Sequence, residues 1–412
     1  MERDLRAHLP AGQGSGLTTV PAPAGGRRFP AGPPPLALYV HVPWCVRKCP
    51  YCDFNSHAAP GALPEAAYVD ALLADLDLEL AAVGPDRPLV SVFIGGGTPS
   101  LLSGRAVAGL LDGIRRRCVL TADAEITLEA NPGTVDAGHF AAYRRAGVNR
   151  LSIGVQSLSA AHLRALGRIH DPVQARAAVT IARRAGFDNL NLDLMFGLPG
   201  QTLSGAAADL DALLELEPEH VSYYQLTLEP NTAFHHAPPT LPEDDLTDDM
   251  QQNGIERLAA AGFGHYEISA FARPGRRCRH NLNYWTFGDY LGIGAGAHGK
   301  LTDPVSGQIL RRARQRQPRA YLDAVTRTEP VGSTRILDDA DLMLEFALNA
   351  FRLVDGVETD LFGQRTGLPA DRIAAPVAAA RRDGLLEAGP DRLRPTALGL
   401  RFANELMGRF AS

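Results

Sequence analysis

The chain has 412 residues, 45% apolar and 21% charged, with a formal net charge of −5 and a pI near 6.2. These values suit two or three soluble domains around a sizeable core and exclude a nucleic-acid surface built on bulk charge. No apolar run approaches the ~18–20 residues of a membrane helix, and Arg3 and Arg6 precede no apolar signal segment. A cytoplasmic protein is expected, without nucleic-acid partner or direct membrane insertion.

Residues 1–34 are rich in Gly, Pro, Ala and Arg and run into Pro33-Pro34-Pro35. Such a stretch buries too little apolar surface to order itself, so a disordered tail is expected there. From residue 36, short apolar runs alternate with helical patterns. The runs are Leu36–Val42, Val90–Ile94, Ala124–Leu128, Arg150–Val155, Asn189–Leu194 and Val221–Leu226. Tyr68, Val69, Leu72, Leu73, Leu76 and Leu80 are spaced for one helix face, as are Val107, Leu110, Leu111 and Ile114. This alternation predicts a parallel sheet with right-handed crossovers. Six units in about 190 residues suit an incomplete barrel rather than a full eight-unit one.

In such barrels the chemistry gathers at the C-terminal strand ends, where the distinctive residues here recur. The loop HVPWCVRKCPYCDF follows the first run, Gly95-Gly96-Gly97-Thr98-Pro99 the second, Glu129 the third, Gln156 the fourth, and Asp193 closes the fifth. Residues 35–300 are expected to form the barrel with a strand extension. The basic stretch Arg311–Arg316 marks a surface linker over 301–337. From 338 the pattern turns helical, with 384–396 as a hairpin, which predicts a small winged-helix-like domain over 338–412.

Five cysteines is a low, odd count, and three share one loop: Cys45, Cys49 and Cys52, spaced C-x3-C-x2-C. In a reducing compartment clustered cysteines read as metal ligands before disulfides. Three thiolates can hold an iron–sulfur cube and leave one iron open. Zinc completed by His41 or His57, or unrelated buried thiols, are the other readings. The glycine run exposes backbone N–H groups to a ligand or is merely a tight turn. Glu129 can meet an ammonium group or an ion-pair partner. His280, Tyr284 and Trp285, within HNLNYW, could grip a flat ligand with the histidine on iron, beside Arg276, Arg277 and Arg279, or could be core aromatics with a satisfied histidine. Gly292-x-Gly294-x-Gly296 lacks the full dinucleotide spacing.

On these motifs, in this order, the chain from Leu36 onward resembles the radical S-adenosylmethionine superfamily, in its oxygen-independent coproporphyrinogen III oxidase-like group. The resemblance implies an α/β fold, a partial (β/α)6 TIM-like barrel with a small C-terminal domain. It implies a 4Fe-4S cluster on Cys45, Cys49 and Cys52, and S-adenosylmethionine contacted by Tyr39, Tyr51, Gly96, Gly97, Thr98, Glu129, Gln156, Arg168 and Asp193. The decarboxylating oxidases of this group extend the loop to a fourth cysteine, where this chain has Phe54. The group's heme-chaperone branch is similar at Phe54 and at HNLNYW. That branch implies heme bound near His280, Tyr284 and Trp285 and passed to acceptor proteins, with a reductant such as flavodoxin or a reduced nicotinamide system. The alternative is radical decarboxylation of coproporphyrinogen III to protoporphyrinogen IX.

Overall fold

The computed structural model describes residues 27, 29, 32–59, 61–84 and 86–411. Six strands and their crossovers build the barrel: β1 (Leu36–Val42), β2 (Leu89–Gly96), β3 (Leu120–Ala130), β4 (Arg150–Gln156), β5 (Leu190–Phe196) and β6 (His220–Gln225). The intervening helices are α1 (Glu65–Val83), α2 (Gly104–Arg117), α3 (Ala137–Ala146), α4 (Pro172–Arg184) and α5 (Leu203–Leu214), and α6 (Asp244–Ala260) follows β6. All five pairings from β1 to β6 are parallel. The six expected strands are therefore present: the first has the expected bounds, the second, third and fourth run longer, and the fifth and sixth are shifted at their ends.

The sheet continues past both ends of this set. β7 (Gly264–Glu267) and β8 (Ala270–Ala272) add antiparallel to β6. On the other side β9 (Asp289–Ile293) pairs parallel with β1, followed by antiparallel β10 (His298–Asp303), β11 (Gln308–Arg314) and β12 (Val331–Ile336). The twelve-stranded order is β12-β11-β10-β9-β1-β2-β3-β4-β5-β6-β8-β7, an open barrel.

Period-two alternation divides each barrel strand. Leu36, Leu38 and Val40 join the apolar layer with Leu72, Leu76 and Leu80 of α1. Tyr39 turns to the other face, against Phe93 and His280. The barrel interior is polar: Glu125, Arg150, Ser152, Asn191 and His220 are all buried. Its floor is closed by α7 (Arg279–Trp285), whose N-terminus rests on the Glu125 carboxylate. Arg279 N–H, His280 N–H and the Cys278 thiol donate to that carboxylate at 3.1, 3.2 and 3.3 Å. A carboxylate at a helix N-terminus satisfies orphan N–H groups and complements the dipole.

The segment 301–337 is not a linker. It supplies half of β10, all of β11 and β12, and α8 (Pro318–Val325). Two of its arginines are ion-paired to α1: Arg314 Nε donates to Asp75 at 2.8 and 3.0 Å, and Arg312 Nη1 to Glu79 at 3.1 Å. Arg314 is only 2% exposed. The charges that suggested a solvated connection instead tie the sheet extension to the barrel.

A second apolar core follows, built on α9 (Asp339–Ala350) with Phe346, Phe351, Phe362, Leu406 and Phe410. Asp338 and Asp341 form a capping box at the start of α9. Residues 384–396 fold back on themselves, with Glu387 N–H donating to the Arg394 carbonyl at 2.9 Å. The tail expected over 1–34 falls largely outside the described residues. Within it Arg27 donates to Asp339 at 2.8 Å, and Phe29 packs against the second core.

Removing Arg314 leaves the Asp75 and Glu79 carboxylates without their buried counter-charge. Arg314→Met is expected to lower the unfolding free energy by about 3–5 kcal/mol, and the exposed Arg316→Met by less than about 0.5 kcal/mol. Urea denaturation measures both, and equal small effects would contradict the buried ion pair.

Candidate functional site

The cysteine loop leaves β1 and folds onto the glycine run that ends β2. Gly97 N–H donates to the Val42 carbonyl and Thr98 N–H to the Trp44 carbonyl, both at 2.7 Å. A Cβ on Gly97 would lie 2.6 Å from the Trp44 carbonyl oxygen, and one on Gly96, at φ +114°, would strike the His41 ring at 2.6 Å. Glycine is required at both positions because the loop's backbone at Gly97, and the His41 ring with a left-handed φ at Gly96, leave no room for a side chain.

Each cysteine sulfur in this loop has its own side-chain neighbour. Thr98 Oγ1 donates to Cys45 Sγ at 3.4 Å and Arg168 Nη1 to Cys49 Sγ at 3.6 Å, while Ser56 Oγ lies 3.9 Å from Cys52 Sγ. Burial pushes the Cys45 and Cys52 thiols up, so a metal group that takes them as thiolates must displace their protons. Among the described residues no three His, Cys, Asp or Glu side chains converge as the ligands of one ion do. Both His41 nitrogens are held, Nε2 by the Asn55 carbonyl at 2.8 Å and Nδ1 by the Tyr39 hydroxyl at 3.1 Å. This arrangement does not suit a zinc site completed by His41. Three thiols in one loop, with polar donors and a glycine shelf beside them, fit a cluster held from one side.

The other strand ends form a ring around that loop. Gly96 N–H donates to Glu129 Oε2 at 3.0 Å. Burial, and then the nearby Asp193 carboxylate, push the Glu129 carboxyl up to about 8. Burial also raises Asp193, against hydrogen bonds from Asn191 and Ser222. Two carboxyl groups that resist ionisation invite a cationic group between them. Gln156 closes β4 at φ +67°, a left-handed conformation rare outside glycine, and its Oε1 accepts from the Tyr224 hydroxyl at 2.7 Å. Arg168 reaches in from the following loop, with Nη2 on the Gly154 carbonyl at 2.8 Å. Tyr51, within the loop, has its hydroxyl raised by burial. Tyr39, Tyr51, Gly96, Gly97, Thr98, Glu129, Gln156, Arg168 and Asp193 thus share the mouth of the barrel.

His280 lies beneath this ring, its imidazole centroid 6.3 Å from the ring centroid of Tyr39, and Tyr284 and Trp285 lie beyond it. His280 sits on the floor helix α7, its ring stacked on Phe93 with centroids 4.9 Å apart. Its Nδ1 is 2.9 Å from Ser91 Oγ, and its Nε2 is 2.9 Å from the Tyr284 hydroxyl. Burial, and then Arg150, lower its pKa to about 3. Trp285 turns to the second core, with the Arg352 guanidinium 4.4 Å above its ring. In this structure these three pack at the floor and against the second core, with both His280 nitrogens hydrogen-bonded.

Sequence reasoning missed Asn55, Ser56, Tyr224 and Arg150. Arg150 was legible as a charge opening an otherwise apolar strand, and Tyr224 as a period-two position on β6. Asn55 had no local signal: its Nδ2 donates to the Ala295 and Arg316 carbonyls at 3.0 and 2.9 Å, far along the chain. The run Gly292-x-Gly294-x-Gly296 serves the same contact, since a Cβ on Gly296 would lie 2.2 Å from Asn55 Nδ2.

Comparison with known proteins extends this geometry. A family model described as the radical SAM superfamily matches residues 39–213, and one described as the HemN C-terminal domain matches residues 337–402. The heme chaperone HemW of Escherichia coli is 51% identical over 377 residues, 92% of this chain and 98% of that one. The heme chaperone HemW of Mycobacterium tuberculosis is 38% identical over 385 residues, 90% of this chain and 94% of that one. Among solved structures, coproporphyrinogen III oxidase (HemN) of Escherichia coli, a radical SAM enzyme, superposes with a TM-score of 0.78 at 25% identity, covering 92% of this chain and 91% of that one.

The raised Glu129 pKa has a consequence for stability. Folded Glu129 holds its proton up to about pH 8, against an ordinary value of 4.5. Its contribution to stability is therefore fully present below about pH 4.5 and is lost as pH rises through about 8. Glu129→Gln should flatten that part of the stability–pH curve of the ligand-free chain, as followed by urea denaturation. Parallel curves for the two proteins would contradict the assigned protonation.

Proposed function

We propose a function from one premise: the chain belongs to the HemW heme-chaperone family within the radical SAM superfamily. On that premise it binds heme and transfers it to acceptor proteins, while carrying a 4Fe-4S cluster and S-adenosylmethionine. Phe54 carries the choice of heme carrier over porphyrinogen oxidase. It stands where the oxidase-type loop places a fourth cysteine, and it is 58% exposed beside the cluster loop.

The residues divide the work. Cys45, Cys49 and Cys52 would hold the cluster from the loop side, with Thr98, Arg168 and Ser56 as polar neighbours of their sulfurs. Hydrogen bonds to cluster sulfurs set reduction potential and ligand orientation. When bound, the cluster supplies electron transfer and, with S-adenosylmethionine on its open iron, reductive cleavage of a sulfonium. Glu129 and Asp193 would receive the ammonium end of that molecule, which favours their ionised forms. The Gly96–Gly97 shelf keeps side-chain atoms out of the approach, and Tyr39 and Gln156 bound the pocket below. The polar barrel interior and the α7 floor exclude bulk water from beneath it. The fold of the oxidase HemN supports the second reading, decarboxylation of coproporphyrinogen III.

Among the described residues no helix is long and apolar enough to cross a membrane. A cytoplasmic carrier that meets its acceptors and a reductant in solution is the arrangement this reading adopts.

Hemin titrated into the anaerobically reconstituted chain should give a visible band that saturates near one equivalent. Absence of a saturable band would sink the carrier reading. Replacing the three loop cysteines with alanine should remove the brown chromophore and about four iron and four sulfide per chain. One zinc without sulfide in the native protein would refute the cluster.

A further inference from the structure

The run Gly292-x-Gly294-x-Gly296 is crowded, and two of its glycines press on the cysteine loop and the strand that leads into it. A Cβ on Gly294 would lie 2.4 Å from the His41 carbonyl oxygen, and one on Gly296 2.2 Å from Asn55 Nδ2. Both glycines have positive φ, +101° and +80°. The sheet extension thus presents bare backbone to the loop.

The loop's excursion, residues 46–56, is closed at its neck. His57 N–H donates to the Pro43 carbonyl at 2.7 Å, and Ala59 N–H to the Cys45 carbonyl at 2.9 Å. Val46, Arg47, Lys48, Asp53 and Phe54 within it are exposed. Arg47 tethers the incoming arm, its Nη2 donating to the Gly167 carbonyl at 2.6 Å. Asn55 tethers the outgoing arm: Nδ2 donates to the Ala295 and Arg316 carbonyls at 3.0 and 2.9 Å. Both segments that accept from it are themselves fixed. Gly296 N–H donates to the Gln315 carbonyl at 2.9 Å. Ala295 N–H donates to the buried Tyr68 hydroxyl at 3.0 Å, which donates on to the His41 carbonyl at 2.8 Å. The residue after Asn55 is Ser56, which is buried, with its Oγ 3.9 Å from Cys52 Sγ.

We propose that Asn55 is a positioning residue for the cluster. Its amide latches the outgoing arm to the Ala295 and Arg316 carbonyls and so holds the Ser56 hydroxyl at the Cys52 sulfur, where it donates to the thiolate. The inference rests on the cluster reading above and adds a residue that acts through its neighbour. A hydrogen bond to a ligating sulfur draws charge from it, favours the reduced cluster and raises its potential. Losing the latch lowers the potential by releasing Ser56. An amide suits the place because its one nitrogen carries two donors for two carbonyls. Leucine has nearly the same shape and none.

The test uses the full chain, reconstituted anaerobically with iron and sulfide. Redox titration followed by electron paramagnetic resonance gives the midpoint potential, and bleaching by a chelator gives the rate of cluster loss. Ser56→Ala should lower the potential, and Asn55→Leu and Asn55→Ala should each lower it as well. The Ser56→Ala/Asn55→Leu pair should match Asn55→Leu alone, since the hydroxyl is already released. Asn55→Leu should also lose its cluster about tenfold faster than wild type, the effect of two missing hydrogen bonds. Gly296→Ala, whose added carbon takes the amide's place, should behave like Asn55→Leu. Gly186→Ala, at φ +87° with open space around it, should match wild type. Urea denaturation of the cluster-free chain checks that each variant folds. An unchanged potential in Ser56→Ala or in both Asn55 variants, or additive shifts in the pair, overturns the latch and leaves the cluster reading standing. Wild-type protein that takes up no iron and sulfide overturns the cluster reading, and the latch with it.

Discussion

The close approach of two backbone segments, the cysteine loop and the glycine run after β2, governs the rest of the structure. Two main-chain hydrogen bonds of 2.7 Å join them, from Gly97 to Val42 and from Thr98 to Trp44. A side chain at Gly96 or Gly97 would force them apart. Because they touch, Thr98 reaches the Cys45 sulfur and Glu129 reaches the Gly96 N–H. The sulfurs and the carboxyl ring are thereby held at one mouth. His41, gripping both Tyr39 and the Asn55 carbonyl, extends the clamp to the far side of the loop.

The barrel beneath is closed from below by charge. Glu125 caps α7, and Arg150 Nε lies 3.9 Å from Glu125 and has no hydrogen-bond partner among the described residues. A buried guanidinium of this kind is costly unless the surrounding carboxylates stay in place. This ties the floor helix to β3 and β4 and explains why a histidine within an aromatic motif sits there neutral, with both nitrogens bonded. The motif's aromatic end, Trp285, joins the barrel to the second core through Arg352.

The sequence was informative where structure is local. The six barrel strands, the first two helix faces and the strand-end residues were legible because period-two and 3.6-residue patterns are written in adjacent positions. The sheet extension was not. Glycine permits the crowding of β9 on β10, where a Cβ on Gly292 would lie 1.9 Å from the His298 carbonyl oxygen. Glycine carries no strand signal. Arg314 read as solvated because its partners, Asp75 and Glu79, are more than two hundred residues away. For His280 the residue type was visible and its depth in the barrel was not.

The central claim is that a radical SAM-type mouth has been turned to carrying a porphyrin rather than decarboxylating one. Its most direct test is a single anaerobic sample, reconstituted with iron and sulfide and supplied with S-adenosylmethionine, a one-electron reductant and coproporphyrinogen III. The account predicts no protoporphyrinogen IX above a protein-free control, while the same preparation takes up hemin. Formation of protoporphyrinogen IX over several turnovers, by a preparation that does not hold hemin, would contradict it.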